Sequence, residues 1–161
     1  MSEIQRIAIT GSSGFYGRGL IERIRTRYPE ATILGLDVIE PPVHPPDEFI
    51  QCDVTSPELG QYLETFAPDT VIHLAFVVNT MHDTNRMHAI NVGGTRNLLT
   101  ALAKIQPARL LVSSSATAYG AWDDNPIPIF EDQPLRPRTE YRYAHDKVFV
   151  EELLVEFREQ S

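Results

Sequence analysis

The chain has 161 residues, 42% of them apolar, which suffices for one ordinary domain with its own buried core. Its 14 Lys and Arg against 22 Asp and Glu leave a net charge of -8, which repels polyphosphate surfaces and anionic lipid, so no nucleic acid and no membrane is expected as a partner. The single cysteine, Cys52, cannot close an internal disulfide, the N-terminus lacks a basic-then-apolar secretory layout, and no apolar run approaches the roughly 18 residues of a membrane span, so the expected setting is reducing and cytoplasmic.

Apolar runs of strand length alternate with longer segments of helical period, which predicts βα units around a parallel sheet. The first strand is predicted from Ile4 to Thr10. A helix follows in which Gly17, Leu20, Ile21 and Ile24 make one stripe, with Pro29 ending it. Thr32 to Asp37 reads as the second strand. The tract Pro41-Pro42-Val43-His44-Pro45-Pro46 cannot donate to a ladder and is predicted as an extended connector to a short third strand, Glu48 to Cys52. Pro57 opens a helix through about Phe66, and Thr70 to Leu74 is the fourth strand. The next helix carries one stripe through Met87, Ile90, Gly94, Leu98, Ala101 and Ile105, and a second through Val92, Thr95, Leu99 and Leu102. Arg109 to Ser114 is the fifth strand. A proline-rich loop then leads to a closing helix from about Tyr141 to Gln160, and there is no internal repeat.

Between the first strand and its helix lies "TGSSGFYG", residues 10 to 17. A G-x-x-G-x-x-G run in that position suits a dinucleotide diphosphate: Gly11 permits the tight turn, Gly14 lets backbone amides come close, and Gly17 lets the helix pack closely on the strand. A glycine-rich turn without a ligand is the alternative. Asp37, closing the second strand, stands where an acid accepts from the adenosine ribose, or else caps the strand and starts a turn. Its charge opposes a 2′-phosphate, and Val38-Ile39-Glu40 offer no basic residue, so NAD is favoured over NADP. Asp53 either receives the adenine amino group or forms a turn with Thr55 and Ser56.

Tyr143 and Lys147 stand four apart on one predicted helical face, where an ammonium favours a tyrosinate by attraction; Tyr141 has only His145 in that place. A phenol near pKa 10 becomes a competent acid and base once that value falls. The pair also fits a surface helix with a packed aromatic. Ser113-Ser114-Ser115 close the fifth strand at the carboxyl edge of the sheet, where open α/β folds bind ligands. His73, His82 and His88 lack helical zinc spacing, so no metal is expected; His73 is expected to bond locally at its strand end, and His145 to face solvent or the loop.

Together "TGSSGFYG" at 10, Asp37, "CDV" at 52, "VIHLA" at 71, "NVGGTRNLL" at 91, "SSSATAYG" at 113 and "YAHDK" at 143 resemble the extended short-chain dehydrogenase/reductase family, the NAD-dependent epimerase/dehydratase group. The resemblance covers essentially the whole chain. It implies a Rossmann-type doubly wound α/β sheet of about five parallel strands in order 3-2-1-4-5, here without the family's later strands and substrate lobe. It also implies a cofactor site from Gly11, Ser13, Gly14, Phe15, Tyr16, Gly17 and Asp37, with Asp53 and Val54 by the adenine and Leu74 and Ala75 along NAD. Ser115 then orients the substrate oxygen, Tyr143 exchanges its proton, and Lys147 lowers the tyrosine pKa while holding the nicotinamide ribose; Thr117 also lies near substrate. The implied substrate is a secondary alcohol or ketone, above all of a nucleotide sugar. "SSSATAYG" resembles the 4-epimerase form of this strand end, whereas dehydratases usually carry Thr-Asp-Glu there.

Three departures stand out. Asp146 replaces the family's serine or other small residue, and pairing with Lys147 is expected to alter the lysine's orientation. Phe76 replaces a small residue and is expected to narrow the cofactor channel. The chain stops one helix after the lysine, which reads as a fragment with an open edge on its fifth strand. That edge, the helix near Val92 and Leu99, and Phe149, Leu153 and Phe157 together suggest a homodimer, unless the apolar residues belong to the monomer core. An NAD-binding or dimerisation module without turnover is the competing class of function.

Overall fold

The computed structural model of the chain describes residues 4–78 and 83–160. Five parallel strands, β1 (Arg6–Thr10), β2 (Thr32–Asp37), β3 (Glu48–Gln51), β4 (Thr70–His73) and β5 (Arg109–Val112), pair in the order 3-2-1-4-5. Helices α1 (Phe15–Arg27), α2 (Leu59–Phe66), α3 (Thr84–His88), α4 (Gly94–Ile105) and α5 (Arg142–Gln160) connect or follow them. β2 fills its predicted run, β1 starts two residues late, and β3, β4 and β5 end one or two residues early, because a ladder lasts only as long as its neighbour pairs; single bonds such as Ser113 N–H to His73 O at 3.3 Å carry on past β5.

Side-chain alternation along the strands divides the core in two. Ile7 and Ile9 of β1, Ile33 of β2 and Ile72 of β4 face Ile21 and Ile24 of α1. Ala8, Leu34, Leu36 and Val71 face the opposite way, onto Leu59 and Leu63 of α2 and Leu98 and Leu102 of α4. Each fully buried leucine or isoleucine among them contributes about 2 kcal/mol of transfer free energy. Strands buried on both faces explain the near-continuous apolar runs.

The helix expected to run unbroken from Met87 is interrupted. α3 passes through a π-helical turn (Ala89–Gly93) before α4 begins. The wider turn brings Asn91 and Val92 inward together, and Asn91 is bonded to the backbone of Val77. Of the surface expected to join two copies, Val92 and Leu99 are 4% and 6% exposed within this chain, and α5 packs over the π turn and α4. Phe157 packs on the core, whereas Phe149 is exposed. The apolar pattern of this helix therefore serves the monomer core.

β1 and β4 lie where the strand order reverses, and beyond Leu74 N–H to Thr10 O and Gly11 N–H to Leu36 O, both 2.9 Å, the chains diverge into a crevice. His73 ties the strand ends, and its ring is not bonded locally as expected. Thr95 Oγ1 donates to Asn91 O at 2.6 Å, so it accepts from His73 Nε2 at 3.0 Å; Nδ1 then accepts from Thr10 Oγ1 at 2.6 Å. Burial, followed by the charge of Lys147, pushes His73 down to about 4, so it is neutral at pH 7.

α1 supplies a paired test of close packing. A Cβ on Gly17 meets Gly11 O at 2.4 Å and Ser12 O at 2.6 Å, whereas one on Gly19 meets nothing within 4 Å. Gly17→Ala is expected to lower the melting temperature, and Gly19→Ala to raise stability by about 1 kcal/mol through helix propensity alone. Urea titrations of both variants check this; equal effects would contradict the packing.

Candidate active site

The first turn lies hard against the loop after β4. Gly11 has φ +73, and a Cβ there would fall 2.5 Å from Ala75 N, so both its conformation and its space require glycine. Gly14 N-caps α1 with no side chain on the free helix-end donors. Ser13 N–H donates to Asp37 Oδ2 at 2.9 Å and Ile39 N–H to Oδ1 at 3.2 Å, which pins the Asp37 carboxylate between the loop and the end of β2.

Two cavities open over the carboxyl ends of the strands. The first, about 460 Å³, brings together Gly11, Ser13, Gly14, Asp37, Asp53, Val54, Leu74 and Ala75. Asp53 also forms the turn anticipated as its alternative role, with Oδ1 accepting from Thr55 N–H at 2.9 Å and Oγ1 at 2.8 Å. The second, about 510 Å³, brings together Tyr16, Ser115, Tyr143 and Lys147. Leu74 and Phe76 border both. Gly17 lies beneath the loop, where close packing is its evident role. Phe15 points away on the outer face of α1, its ring edge-on to Tyr16 at 5.5 Å.

Local geometry sets each group in the second cavity. Ser115 caps a 3-10 turn (Ala116–Tyr119), and its Oγ accepts from Thr117 Oγ1 at 2.9 Å and Thr117 N–H at 3.3 Å. Tyr143, in the first turn of α5, meets Phe76 edge-on at 5.5 Å. Lys147 Nζ donates to Ser113 O at 2.6 Å and lies 3.5 Å from the Phe76 ring centroid, a cation–π contact. Burial pushes Lys147 down to about 8, partly offset by Glu151.

Asp146 does not pair with Lys147 as expected. It turns to His88, Arg142 and Asn91, so its carboxylate does not draw the ammonium out of the cavity. Phe76, expected to narrow a channel, stands with Leu74 at the border of both cavities. His145 does not face solvent throughout: Nε2 is buried with no hydrogen-bond partner among the described residues. His82 lies outside the described residues, and among those described no three His, Cys, Asp or Glu side chains are grouped to hold a metal ion. No described helix is long and apolar enough to cross a membrane.

Sequence reasoning missed Arg86 and Ile90 in the groove wall and Asn91 behind it. Asp83, capping α3 by accepting from Arg86 N–H at 2.9 Å, is the one local signal that starts a helix there. The groove's other charged side chains are Asp37 and Asp53, which makes Arg86 its single cation among the described residues.

The chain matches the model of the NAD dependent epimerase/dehydratase family over residues 7–161. It is similar to the UDP-glucose 4-epimerase of Dictyostelium discoideum, 29% identical, with 92% of this chain and 46% of that protein covered. It is also similar to the GDP-6-deoxy-D-mannose reductase of Pseudomonas aeruginosa, 32% identical, covering 95% and 47%. Among solved structures, the Bordetella bronchiseptica enzyme WbmG in complex with NAD and UDP has a TM-score of 0.82 and 30% identity over 95% of this chain and 50% of that one. The chain thus spans about half the length of these proteins.

Lys147 and Lys104 are the two lysines of the chain, so a lysine ε-carbon label gives two NMR signals. Lys147 is expected to titrate with a midpoint near 8. Between that value and the ordinary 10.5, the unfolded chain holds a proton that the folded chain has released, so this lysine's contribution to stability rises as pH rises through the window. Lys147→Met should remove that part of the slope; a midpoint above 10 would contradict the burial.

Proposed function

The chain belongs to the NAD dependent epimerase/dehydratase family, and on that premise we propose that its first cavity takes NAD and its second the reacting carbon of a nucleotide sugar. The observation that carries this reading is the shared wall at Leu74 and Phe76: a ligand extending along the groove from Asp37 reaches the cavity of Ser115, Tyr143 and Lys147.

The groove suits a dinucleotide. Its first turn has no room for a Cβ at Gly11, the start of α1 offers uncapped N–H donors to a diphosphate, and Arg86 adds a cation. Asp37 keeps acceptor capacity for ribose hydroxyls and opposes a 2′-phosphate. Nucleotide sugars are supported by the names of the relatives, a UDP-glucose 4-epimerase and a GDP-6-deoxy-D-mannose reductase.

Bound NAD supplies the acceptor of a hydride from a secondary alcohol and, in an epimerase, its return to the opposite face. Tyr143 takes the hydroxyl proton as the carbonyl forms and gives it back in the reverse direction. Because Ser115 Oγ accepts from Thr117 twice, its own O–H is left to donate to the substrate oxygen. The Lys147 ammonium supports the charge formed on Tyr143 and binds the nicotinamide ribose. Phe149 and Val155 on α5 are exposed, and pairing of two copies through that helix belongs to the proposal.

Calorimetry should detect NAD binding, and Asp37→Ala should weaken it at least about tenfold while narrowing the preference over NADP. Absence of heat at millimolar NAD would overturn the cofactor reading. With UDP-glucose as the probe substrate, Tyr143→Phe should lower NADH formation about 10²- to 10⁴-fold with unchanged NAD affinity. Equal rates would remove Tyr143 as the proton carrier, and NAD binding without turnover by the native chain on any nucleotide sugar would identify a binding module.

A further inference from the structure

The carboxylate next to the lysine is wholly buried and serves a different partner. Asp146 Oδ1 accepts from His88 Nδ1 at 2.7 Å, with Arg142 Nε 3.2 Å from the same oxygen, and Oδ2 accepts from Asn91 Nδ2 at 3.1 Å. Asn91, equally buried in the π turn, passes the connection on: its Oδ1 accepts from Val77 N–H at 2.7 Å, and Nδ2 reaches Val77 O at 3.3 Å. Val77 carries Phe76 beside it in the chain, and the Phe76 ring returns to α5 through Lys147 and Tyr143. The contacts close a circuit from α5 through the π turn to the loop after β4 and back.

Hydrogen-bond chemistry fixes the direction of this circuit. The backbone N–H of Val77 can only donate, so Asn91 must present its oxygen there and its NH₂ toward position 146. That position must therefore accept. A carboxylate accepts from Asn91 and His88 at once and lies against the Arg142 guanidinium as an ion pair; an amide that keeps its oxygen on His88 turns its NH₂ onto that of Asn91, and one that keeps its oxygen on Asn91 turns its NH₂ onto the His88 and Arg142 donors. A conflict of two donors in a buried site is relieved only by moving a partner, and Val77 sits on the one segment of the circuit that is not helical.

We propose that Asp146 is a positioning residue that sets Phe76 through Asn91 and Val77, and so fixes the wall shared by the two cavities against Tyr143 and Lys147. Asp146 borders neither cavity and touches no reacting atom. The functional consequence rests on the reading of the groove as an NAD site; the placement of Phe76 does not.

Two readouts test this on the full chain. The Lys147 ε-methylene lies next to an ammonium 3.5 Å from the Phe76 centroid, so its proton signal should be displaced upfield of that of Lys104 by the ring current. In Asp146→Asn that displacement is expected to collapse and NAD affinity, by calorimetry, to fall about tenfold. The exchange variant Asn91→Asp/Asp146→Asn restores a donor facing an acceptor at Val77 N–H and between positions 91 and 146, giving up only the longer contact to Val77 O, and should recover most of the displacement and the affinity. The proposal is overturned if Asp146→Asn keeps both, or if a folded exchange variant behaves like the single one. Should Asp146→Asn not fold, the exchange variant against the native chain decides alone. If no variant and not the native chain binds NAD, the cofactor reading fails, and the lysine signal still decides the placement of Phe76.

Discussion

The site depends on how closely two backbones meet at the centre of the sheet. β1 and β4 are adjacent, and the loops leaving them must part to opposite sides, yet Gly11 lies so near Ala75 that a Cβ would come within 2.5 Å of its nitrogen. That approach puts the start of α1, the end of β2 and the loop after β4 around one groove. His73 reinforces it from below by joining Thr10 to Thr95, so the strand ends that diverge above are tied together beneath. A side chain at Gly11 would separate elements that every later contact requires to be adjacent.

Lysine chemistry in the second cavity follows from the same burial. Lys147 and His73 are two buried bases within electrostatic reach of each other, and low polarity disfavours charge on both. Imidazole, with the lower intrinsic pKa, yields: it stays neutral near pH 7 and uses its ring nitrogens for the two threonines. The ammonium is left as the cavity's positive charge, held by Ser113 O and the Phe76 ring, with Asp146 turned away. A carboxylate one residue from a lysine would ordinarily be read as its counter-ion. On a helix, though, adjacent residues point about 100° apart, and that angle sends Asp146 into the π turn.

Much of the fold was legible because strand alternation and helix period are local signals. Each strand lies within its predicted run, and the stripe through Ile21 and Ile24 of α1 packs on the sheet. The tight turn at Gly11 and the placement of Asp37 at the end of β2 were legible too, since turn geometry acts within one βα unit. What escaped was long-range. The apolar stripes around Val92 and Leu99 show that the helix is buried, but not by what, and α5 of the same chain covers them. The π turn left no pattern of its own, because Asn91 in a helix is explained only by Val77, 14 positions earlier, and Asp146, 55 positions later. Arg86 likewise reads as an exposed helical residue until α3 is set against the groove.

The division between legible and hidden residues matches a division of tasks. Gly11, Gly14, Asp37, Ser115, Tyr143 and Lys147 are the residues whose proposed chemistry a residue type announces, whereas Phe76, Asn91, His88 and Asp146, proposed to set where those groups stand, announce nothing alone. Asp146 and Asn91 could exchange side-chain oxygen for nitrogen and keep both the bond between them and the acceptor for Val77 N–H, so most of the constraint lies in the complementarity of donor and acceptor and not in either residue. A chain can therefore keep every recognisable motif of its family and still set the distance between its two cavities by residues outside those motifs. In this chain the wall proposed to be set that way is Phe76, beside Leu74, held from behind.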